Sequence, residues 1–198
     1  MRRPSPNQSV FPNQVRIIGG KWRRRLLRFP SGADLRPTPD RVRETLFNWL
    51  GQELTDLSVL DLFAGSGALS FEALSRGAAH AVAVDADLQA VAAMKENAST
   101  LSATGLEPRR ADALRFLLSD PRTFDVIFLD PPFREQWMDR LWPQVSAHLN
   151  PGGVVYVEQA HAIDPPAGWD LFRHQRAGKV HYHLLRRSVA SEAAPDGV

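Results

Sequence analysis

The sequence contains no cysteine, only two tyrosines and no apolar run long enough to cross a bilayer. The missing cysteine excludes disulfides, thiolate metal ligands and cysteine nucleophiles, and it agrees with a reducing compartment. Residues 1–7 also lack the apolar segment that a signal peptide requires. We therefore expect a cytoplasmic protein that has no membrane partner.

A length of 198 residues with 43% hydrophobic content is enough for one substantial core and short for two full domains. Residues 1–14 and 188–198 have the polar or small-residue composition of disordered termini. We expect a basic hairpin and a helix in 15–51 and a single α/β domain in 52–187. The chain is expected to be a monomer.

The charge is unevenly distributed along the chain. Residues 1–50 hold 11 Lys and Arg against 3 Asp and Glu, whereas the remainder holds 13 against 19. This polarity indicates that the N-terminal face meets a polyanion. A solvated basic arm without a partner is the alternative that charge alone leaves open.

Short apolar runs alternate with amphipathic stretches from residue 57 onward. Strands are predicted at 58–63, 81–84, 106–110, 126–129 and 154–158, with helices at 68–76, 88–101, 113–118 and 136–149 between them. This alternation predicts an α/β, Rossmann-like fold with a mostly parallel sheet and helices on both faces. Segments 169–174 and 180–185 predict a C-terminal antiparallel hairpin, and 15–29 a small basic hairpin. Thr38 is expected to cap the helix that follows it.

A glycine loop follows the first strand of the α/β domain, where Asp61 precedes Gly65-Ser66-Gly67. Such a loop lets the backbone approach a nucleotide-like ligand closely. Gly67 is followed by Ala68 and not by Lys, which excludes a Walker-type phosphate loop. A dinucleotide fingerprint needs a third glycine or an alanine three positions after Gly67, and Ser70 stands there, so that cofactor class is also disfavoured.

Four acids end four successive strands: Asp61, Asp85, Asp112 and Asp130. Ligands of open parallel sheets bind at this carboxyl edge. Asp85 lies at the distance from the glycine loop at which an acid binds ribose hydroxyls, and Asp112 can accept from an adenine amine. Any one of these acids alone would more often be a helix cap.

The cluster Asp130-Pro131-Pro132-Phe133 directly follows an apolar strand. A carboxylate, two rigid prolines and an aromatic ring form a seat for a planar amine, with Phe133 able to stack on a base. A simple Pro-rich turn is the alternative for this cluster taken alone. The absence of cysteine disfavours methylation at pyrimidine carbon 5, which commonly uses a cysteine nucleophile.

These motifs resemble the ordered motifs of class I S-adenosylmethionine-dependent methyltransferases that act on exocyclic amines. Arg16-Ile17-Ile18-Gly19-Gly20-Lys21-Trp22 and residues 36–44 further resemble the bacterial 16S ribosomal RNA guanine-N2 methyltransferases that modify guanine 966. The resemblance implies S-adenosylmethionine as cofactor, 16S ribosomal RNA or the small subunit as partner, and catalysis at the 130–133 cluster. The implied cofactor residues are Asp61, Phe63, Ala64, Gly65, Ser66, Gly67, Asp85, Ala86, Asp112, Ala113, Arg36 and Thr38.

The basic hairpin is the expected RNA platform, through Lys21, Trp22, Arg23, Arg24, Arg25 and Arg28. Arg24 departs from the resemblance, because glycine is expected after the Lys-Trp-Arg run. Two other functions stay open: adenine-N6 methylation of DNA, and a noncatalytic RNA-binding assembly factor of the same fold.

The predicted C-terminal hairpin contains three candidate metal ligands, His174, His181 and His183. No carboxylate or cysteine completes a recognisable ligand spacing in the sequence. Alternating strand positions explain these histidines, and no metal site is predicted.

Overall fold

A computed structural model describes residues 13–31, 37–132 and 137–188. The strands in these ranges are β1 Asn13–Arg16, β2 Leu26–Phe29, β3 Ser58–Asp61, β4 His80–Asp85, β5 Leu106–Arg110, β6 Phe124–Leu129, β7 Leu149–Gln159, β8 Trp169–Ala177 and β9 Val180–Arg187. The helices are α1 Asp40–Trp49, α2 Ala68–Ser75, α3 Leu88–Leu101, α4 Ala113–Ser119 and α5 Trp137–Val145. No helix in these ranges has the length and apolar content needed to cross a membrane.

The central sheet has seven strands in the order β5-β4-β3-β6-β7-β9-β8. The first five are parallel to one another, and β9 runs antiparallel to both β7 and β8. This topology confirms the predicted fold class, including the C-terminal hairpin.

Each face of the sheet is covered by its own hydrophobic cluster. On β6, Val126 and Phe128 belong to one cluster, and Ile127 and Leu129 belong to the other. Successive side chains of a strand point to opposite faces, so a strand buried on both sides reads as a continuous apolar run. That is why residues 126–129 could be predicted as a strand without any polar alternation.

The N-terminal extension packs into the same core as the α/β sheet. Val15, Ile17 and Leu27 are buried in one cluster with Phe71 of α2. The prediction of disorder for 1–14 was wrong at its last two residues, because β1 begins at Asn13. The Asn13 amide donates to the Pro30 carbonyl and the Ser31 hydroxyl, both at 3.2 Å, which fixes the start of this strand.

The C-terminal limit shifts in a similar way. The Ser188 hydroxyl donates to Asp170 at 2.6 Å, and its backbone N–H donates to Gly168 at 2.9 Å, so position 188 is tied to β8 and the loop before it. Residues 1–12 and 189–198, the rest of the two predicted disordered termini, lie outside the described residues.

The buried Arg43 of α1 ties the extension to the domain. Its guanidinium donates to the Arg16 carbonyl at 2.7 Å and to Asp40 at 2.6 Å, and it lies 3.4 Å from Glu72 of α2. Its Nε also donates to the Thr38 carbonyl at 3.1 Å. A buried cation requires this degree of pairing, so the network fixes the entry of α1 against both segments.

Two helix termini differ from the prediction in the contacts that form them. The cap of α1 is Pro39, not Thr38, because the Thr38 carbonyl is held by Arg43 and its side chain lies toward the carboxyl edge of the sheet. The helix predicted for 136–149 ends at Val145. A 3-10 turn follows, in which the His148 ring bridges the Arg122 and Leu117 carbonyls at 2.8 Å each.

Candidate active site

The sheet topology gathers the predicted acids along one edge. Asp61 and Asp85 end β3 and β4, and Asp112 and Asp130 follow the ends of β5 and β6. Because the four strands are adjacent and parallel, their carboxyl ends meet in the order Asp112, Asp85, Asp61 and Asp130.

The glycine loop between β3 and α2 is folded tightly against its neighbours. Gly65 and Gly67 have φ of +51° and +75°, a region that L side chains rarely adopt. A Cβ at Gly67 would lie 3.0 Å from the Met94 side chain and 3.1 Å from Phe71. Position 67 is therefore restricted to glycine by both conformation and space, and position 65 by conformation.

Asp61 is buried next to the glycine loop and is bonded to the helix that follows it. It is 2% exposed, and the Ser70 hydroxyl donates to its carboxylate at 2.8 Å. Ser70 stands where a dinucleotide fingerprint has its third glycine, and its hydrogen bond to Asp61 connects α2 to the end of β3. Burial raises the pKa of Asp61 to about 7, and the charge of Asp85 adds to this effect.

Asp85 connects the loop to β4 and stays half-buried. One carboxylate oxygen accepts from the Gly65 N–H at 2.7 Å, and the other accepts from the Asp87 N–H at 2.8 Å. Burial raises the pKa of Asp85 despite these two hydrogen bonds. The half-exposed carboxylate keeps acceptor capacity for a ligand hydroxyl.

The next positions along this edge are a capping acid and two small residues. Asp112 caps α4 by accepting from the Arg115 N–H at 3.0 Å, and it is half-buried. Ala113 is buried and Ala86 is exposed on the next strand end.

An aromatic pair joins the glycine loop to α5. Phe63 packs edge-on against Trp137 of α5 with 5.2 Å between ring centroids. The buried Trp137 Nε1 has no hydrogen-bond partner among the residues that the structure describes. A polar ligand group at this wall would satisfy that donor.

Asp130 shares its surroundings with a second acid, Glu158 of β7. Leu129 and Val157 are paired across β6 and β7, so the following residues, Asp130 and Glu158, are neighbours. Glu158 is 3% exposed and accepts from the Tyr156 hydroxyl at 2.8 Å.

Burial raises the pKa of Asp130 well above its ordinary value, and the charges of Glu158 and Asp61 raise it further. Burial likewise raises the pKa of Glu158. Hydrogen bonding to the Thr38 side chain works in the opposite direction on both acids. The carboxyl groups of the buried Glu158 and the half-buried Asp130 resist simultaneous ionisation, so this corner of the edge favours a cation or a hydrogen-bond donor.

Glu158 was missed by the sequence prediction. The signal was available, because the strand predicted at 154–158 ends in this acid in the same way that the earlier strands end in Asp. No glycine loop or proline cluster surrounds Glu158, so the sequence does not mark it as a site residue. Only the strand order, which places β7 beside β6, shows that it meets Asp130.

The rest of the predicted catalytic cluster is described only in part. Pro131 is buried and Pro132 is exposed. Phe133 and Arg36 lie outside the described residues, so their roles stay predictions. Thr38 is 7% exposed and lies at the two carboxyl groups, where the resemblance placed it near the cofactor.

The basic loop between β1 and β2 lies at the far end of α2. The Trp22 N–H donates to the Ser75 hydroxyl at 2.9 Å, and that hydroxyl donates to the Gly19 carbonyl at 2.6 Å. Gly67 caps the start of α2 and Ser75 ends it, so the loop is about 12 Å from the glycine loop along the helix. The basic residues are therefore not at the carboxyl edge itself.

The side chains of the basic loop differ in their availability. Trp22 is half-buried and packs edge-on against Phe71 at 6.4 Å, so it is a packing residue. Four cations of the loop are exposed: Lys21, Arg23, Arg24 and Arg25. Arg28 of β2 is half-buried. Arg24 has φ +70°, which explains why glycine is expected at that position.

The sheet order, the glycine loop after β3 and the acids at the strand ends define the class: this is the fold of S-adenosylmethionine-dependent class I methyltransferases. Within that class, the chain belongs to the family described as conserved hypothetical protein 95, which matches residues 15–186.

Known relatives cover nearly the whole chain. It is 39% identical to the ribosomal RNA small subunit methyltransferase D of Escherichia coli, over 99% of this chain and 100% of the relative. The solved structure of E. coli yhhF superposes with a TM-score of 0.81 at 41% identity, covering 88% of this chain and 98% of that one. The structure of Haemophilus influenzae HI0767 gives 0.74 at 36% identity, covering 88% and 99%.

Proposed function

We propose that this protein transfers a methyl group from S-adenosylmethionine to the exocyclic N2 amine of a guanine in 16S ribosomal RNA, forming 2-methylguanosine. The observation that carries the proposal is the carboxyl group of Asp130 at the end of β6, followed by Pro131 and flanked by Glu158. The name of the E. coli relative, a small-subunit ribosomal RNA methyltransferase, supports the choice of RNA. Guanine 966 is the target that the sequence resemblance suggests.

The acidic edge suits a cationic cofactor. Asp61, Asp85 and Asp130 all have raised pKa values, caused mainly by burial and partly by their mutual repulsion or that of nearby acids. A cofactor carrying phosphates would add to this repulsion, whereas a sulfonium cation relieves it. S-adenosylmethionine, when bound, supplies an electrophilic methyl group on such a cation.

Each part of the cofactor has residues that can hold it. The backbone of Gly65-Ser66-Gly67 would lie against the methionine part, and the half-exposed Asp85 carboxylate would accept from the ribose hydroxyls. Asp112 and Ala113 would flank the adenine. Thr38 and Arg36 would lie at the amino-acid end.

The chain assists the reaction by positioning the target amine. The Asp130 carboxyl and the Pro131 carbonyl would accept hydrogen bonds from the two amine hydrogens, which favours a pyramidal nitrogen with an available lone pair. Proline at 131 and 132 restricts the backbone, so these acceptors are held in place before the substrate arrives.

Asp130 is also suited to take the released proton. If the methyl carbon bonds to nitrogen as its bond to the sulfonium sulfur breaks, leaving a neutral thioether, the nitrogen would become cationic and would have to lose one hydrogen. A carboxyl group whose pKa is raised by burial is a better proton acceptor than an ordinary aspartate. Its neighbour Glu158 strengthens that property through its charge.

The guanine must leave its stack to reach the carboxyl edge. The exposed cations of the basic loop lie along α2 from this edge, where they would contact phosphates of the RNA flanking the target. Because they lie at the opposite end of α2 from the carboxyl edge, the role we propose for them is RNA docking and not methyl transfer.

The test is incorporation of tritiated methyl groups from S-adenosylmethionine into 16S ribosomal RNA and into duplex DNA, followed by nucleoside analysis. We expect label in the RNA only, as 2-methylguanosine. Label in DNA as N6-methyladenine would establish the alternative enzyme. No label in RNA, small subunits or DNA, together with intact RNA binding, would favour the noncatalytic assembly factor.

A further inference from the structure

The C-terminal hairpin gathers three histidines on one face of the sheet. His181 and His183 are two residues apart on β9, so their side chains point to the same side. His174 of β8 is the direct cross-strand partner of His183. Two residues of one strand and one of its antiparallel neighbour thus form a triangle of imidazoles.

The ring nitrogens are close enough to share one ion. One ligand nitrogen from each ring lies within 4.8 Å of the other two, and His174 Nε2 lies 3.0 Å from His181 Nδ1. In a tetrahedral zinc site with metal–nitrogen bonds of about 2.0 Å, neighbouring ligand nitrogens are about 3.3 Å apart. The His174–His181 distance is already near that value.

We propose that His174, His181 and His183 form a binding site for a late first-row transition-metal dication such as Zn²⁺. Imidazole nitrogen is a preferred ligand of these metals, and three histidines with one open position are a known coordination pattern. His174 is exposed, which leaves the fourth position to water. The proposal departs from the sequence prediction of no metal site, because cross-strand pairing, not sequence spacing, brings the three rings together.

The buried ring is oriented by a backbone contact. His183 Nδ1 lies 3.3 Å from the Val157 carbonyl of β7, a contact that favours the proton on Nδ1 and a lone pair on Nε2. Metal-binding histidines are commonly oriented by a contact of this kind.

Three adjustments are needed for coordination, the first being loss of the hydrogen bond between His174 Nε2 and His181 Nδ1 together with its proton. His183 Nε2 accepts a long hydrogen bond of 3.3 Å from the Ile163 N–H, which the metal would replace. The His174 ring is nearly parallel to the other two, at 13° to His181 and 6° to His183. Rotation about the final imidazole torsion, which is broad, would turn the lone pairs toward one point. The metal would then join β8 to β9.

The experiment is titration of the untagged, chelator-treated full-length protein with Zn²⁺ by calorimetry. We expect one ion per chain, with affinity weakened at least tenfold in His174→Ala and in His181→Ala. Both residues lie at least partly in solvent, so these changes spare the core. The matched control is His80→Ala on β4, which should bind as the parent chain does. Thermal melting should show a Zn²⁺-dependent rise in Tm that both hairpin variants lose.

This inference does not depend on the proposed methyl transfer, since its readout is binding. It is overturned if the parent chain binds no Zn²⁺, or if His174→Ala and His181→Ala bind it as tightly as the parent and His80→Ala do. Loss of binding in the His80→Ala control alone would also overturn it, because the ion would then lie on β4.

Discussion

At the residue scale, the neighbouring carboxyl groups of Asp130 and Glu158 determine the chemistry of the site. Burial raises the pKa of Asp130 first, and the Glu158 charge adds to it. Glu158 is buried, and its carboxylate accepts a hydrogen bond from the Tyr156 hydroxyl at 2.8 Å. It acts on Asp130 as a positioning residue, through charge.

The variant Glu158→Gln should shift the pH profile of methyl transfer. Removing the negative charge lowers the pKa of Asp130, whose ionised form is the stronger acceptor. Activity rises as Asp130 loses its proton, so the acidic limb of the profile should move to lower pH. The glutamine oxygen can still accept from Tyr156, which preserves the packing. The measurement is kcat against pH with saturating RNA.

The matched control for this shift is Glu96→Gln, an exposed acid on α3. It should leave the acidic limb where it is in the parent enzyme. An unmoved limb in Glu158→Gln, or one displaced to higher pH, would contradict the coupling between the two acids.

At the element scale, α2 separates two regions of different charge. Its N-terminal end carries the glycine loop at the acidic edge, and its C-terminal end holds the basic loop through Ser75. The basic loop and the acidic edge are therefore separated by the length of this buried helix.

Replacement of both Arg23 and Arg25 by glutamine should weaken RNA binding and flatten its salt dependence. Each lost phosphate contact reduces the slope of log K against log salt by about 0.7 for a single strand. Arg24 is left in place because its positive φ couples it to the loop backbone. The measurement is RNA affinity at several salt concentrations.

The control for the basic loop is Arg109→Gln with Arg115→Gln, two exposed cations on β5 and α4. This pair should retain the parent slope. If the loop variant also retains it, the basic loop is a solvated surface and the RNA docks elsewhere.

The accuracy of the sequence prediction differs between kinds of element. Helix α3 and strand β5 were predicted at their actual boundaries, and for the helix the local signal is Asp87, which caps it. The end of α5 was not, since His148 terminates it through carbonyls of Leu117 and Arg122 that are distant in sequence. Local signals fix local boundaries, whereas long-range contacts do not show in a periodicity.

The same distinction holds for the site. The strand-end acids could be predicted because parallel strands bring their ends together. The partnership of Asp130 with Glu158, the burial of Trp22 and the histidine triangle each depend on which elements are neighbours in space. Those neighbours follow from the strand order and from helix docking, which the sequence does not show directly.

At the scale of the whole molecule, the extension and the α/β sheet share one core and one buried ionic network. Arg43 holds the Thr38 carbonyl while contacting Glu72 of α2, so the same side chain orients the segment that reaches Asp130. The Glu72 carboxylate also accepts from the Ile18 N–H at 2.9 Å, next to the basic loop. The proposed docking surface and the proposed active site are thus connected through buried contacts.

The central claim is that Asp130 accepts the target amine at the edge of the sheet. The most direct measurement compares Asp130→Ala with the parent protein for S-adenosylmethionine affinity and for methyl transfer to 16S ribosomal RNA. We predict that the variant keeps cofactor binding within a few-fold and loses at least 100-fold in turnover, the size expected for general base and positioning roles. Unchanged turnover in Asp130→Ala would contradict the account, because the reacting nitrogen would then lie elsewhere.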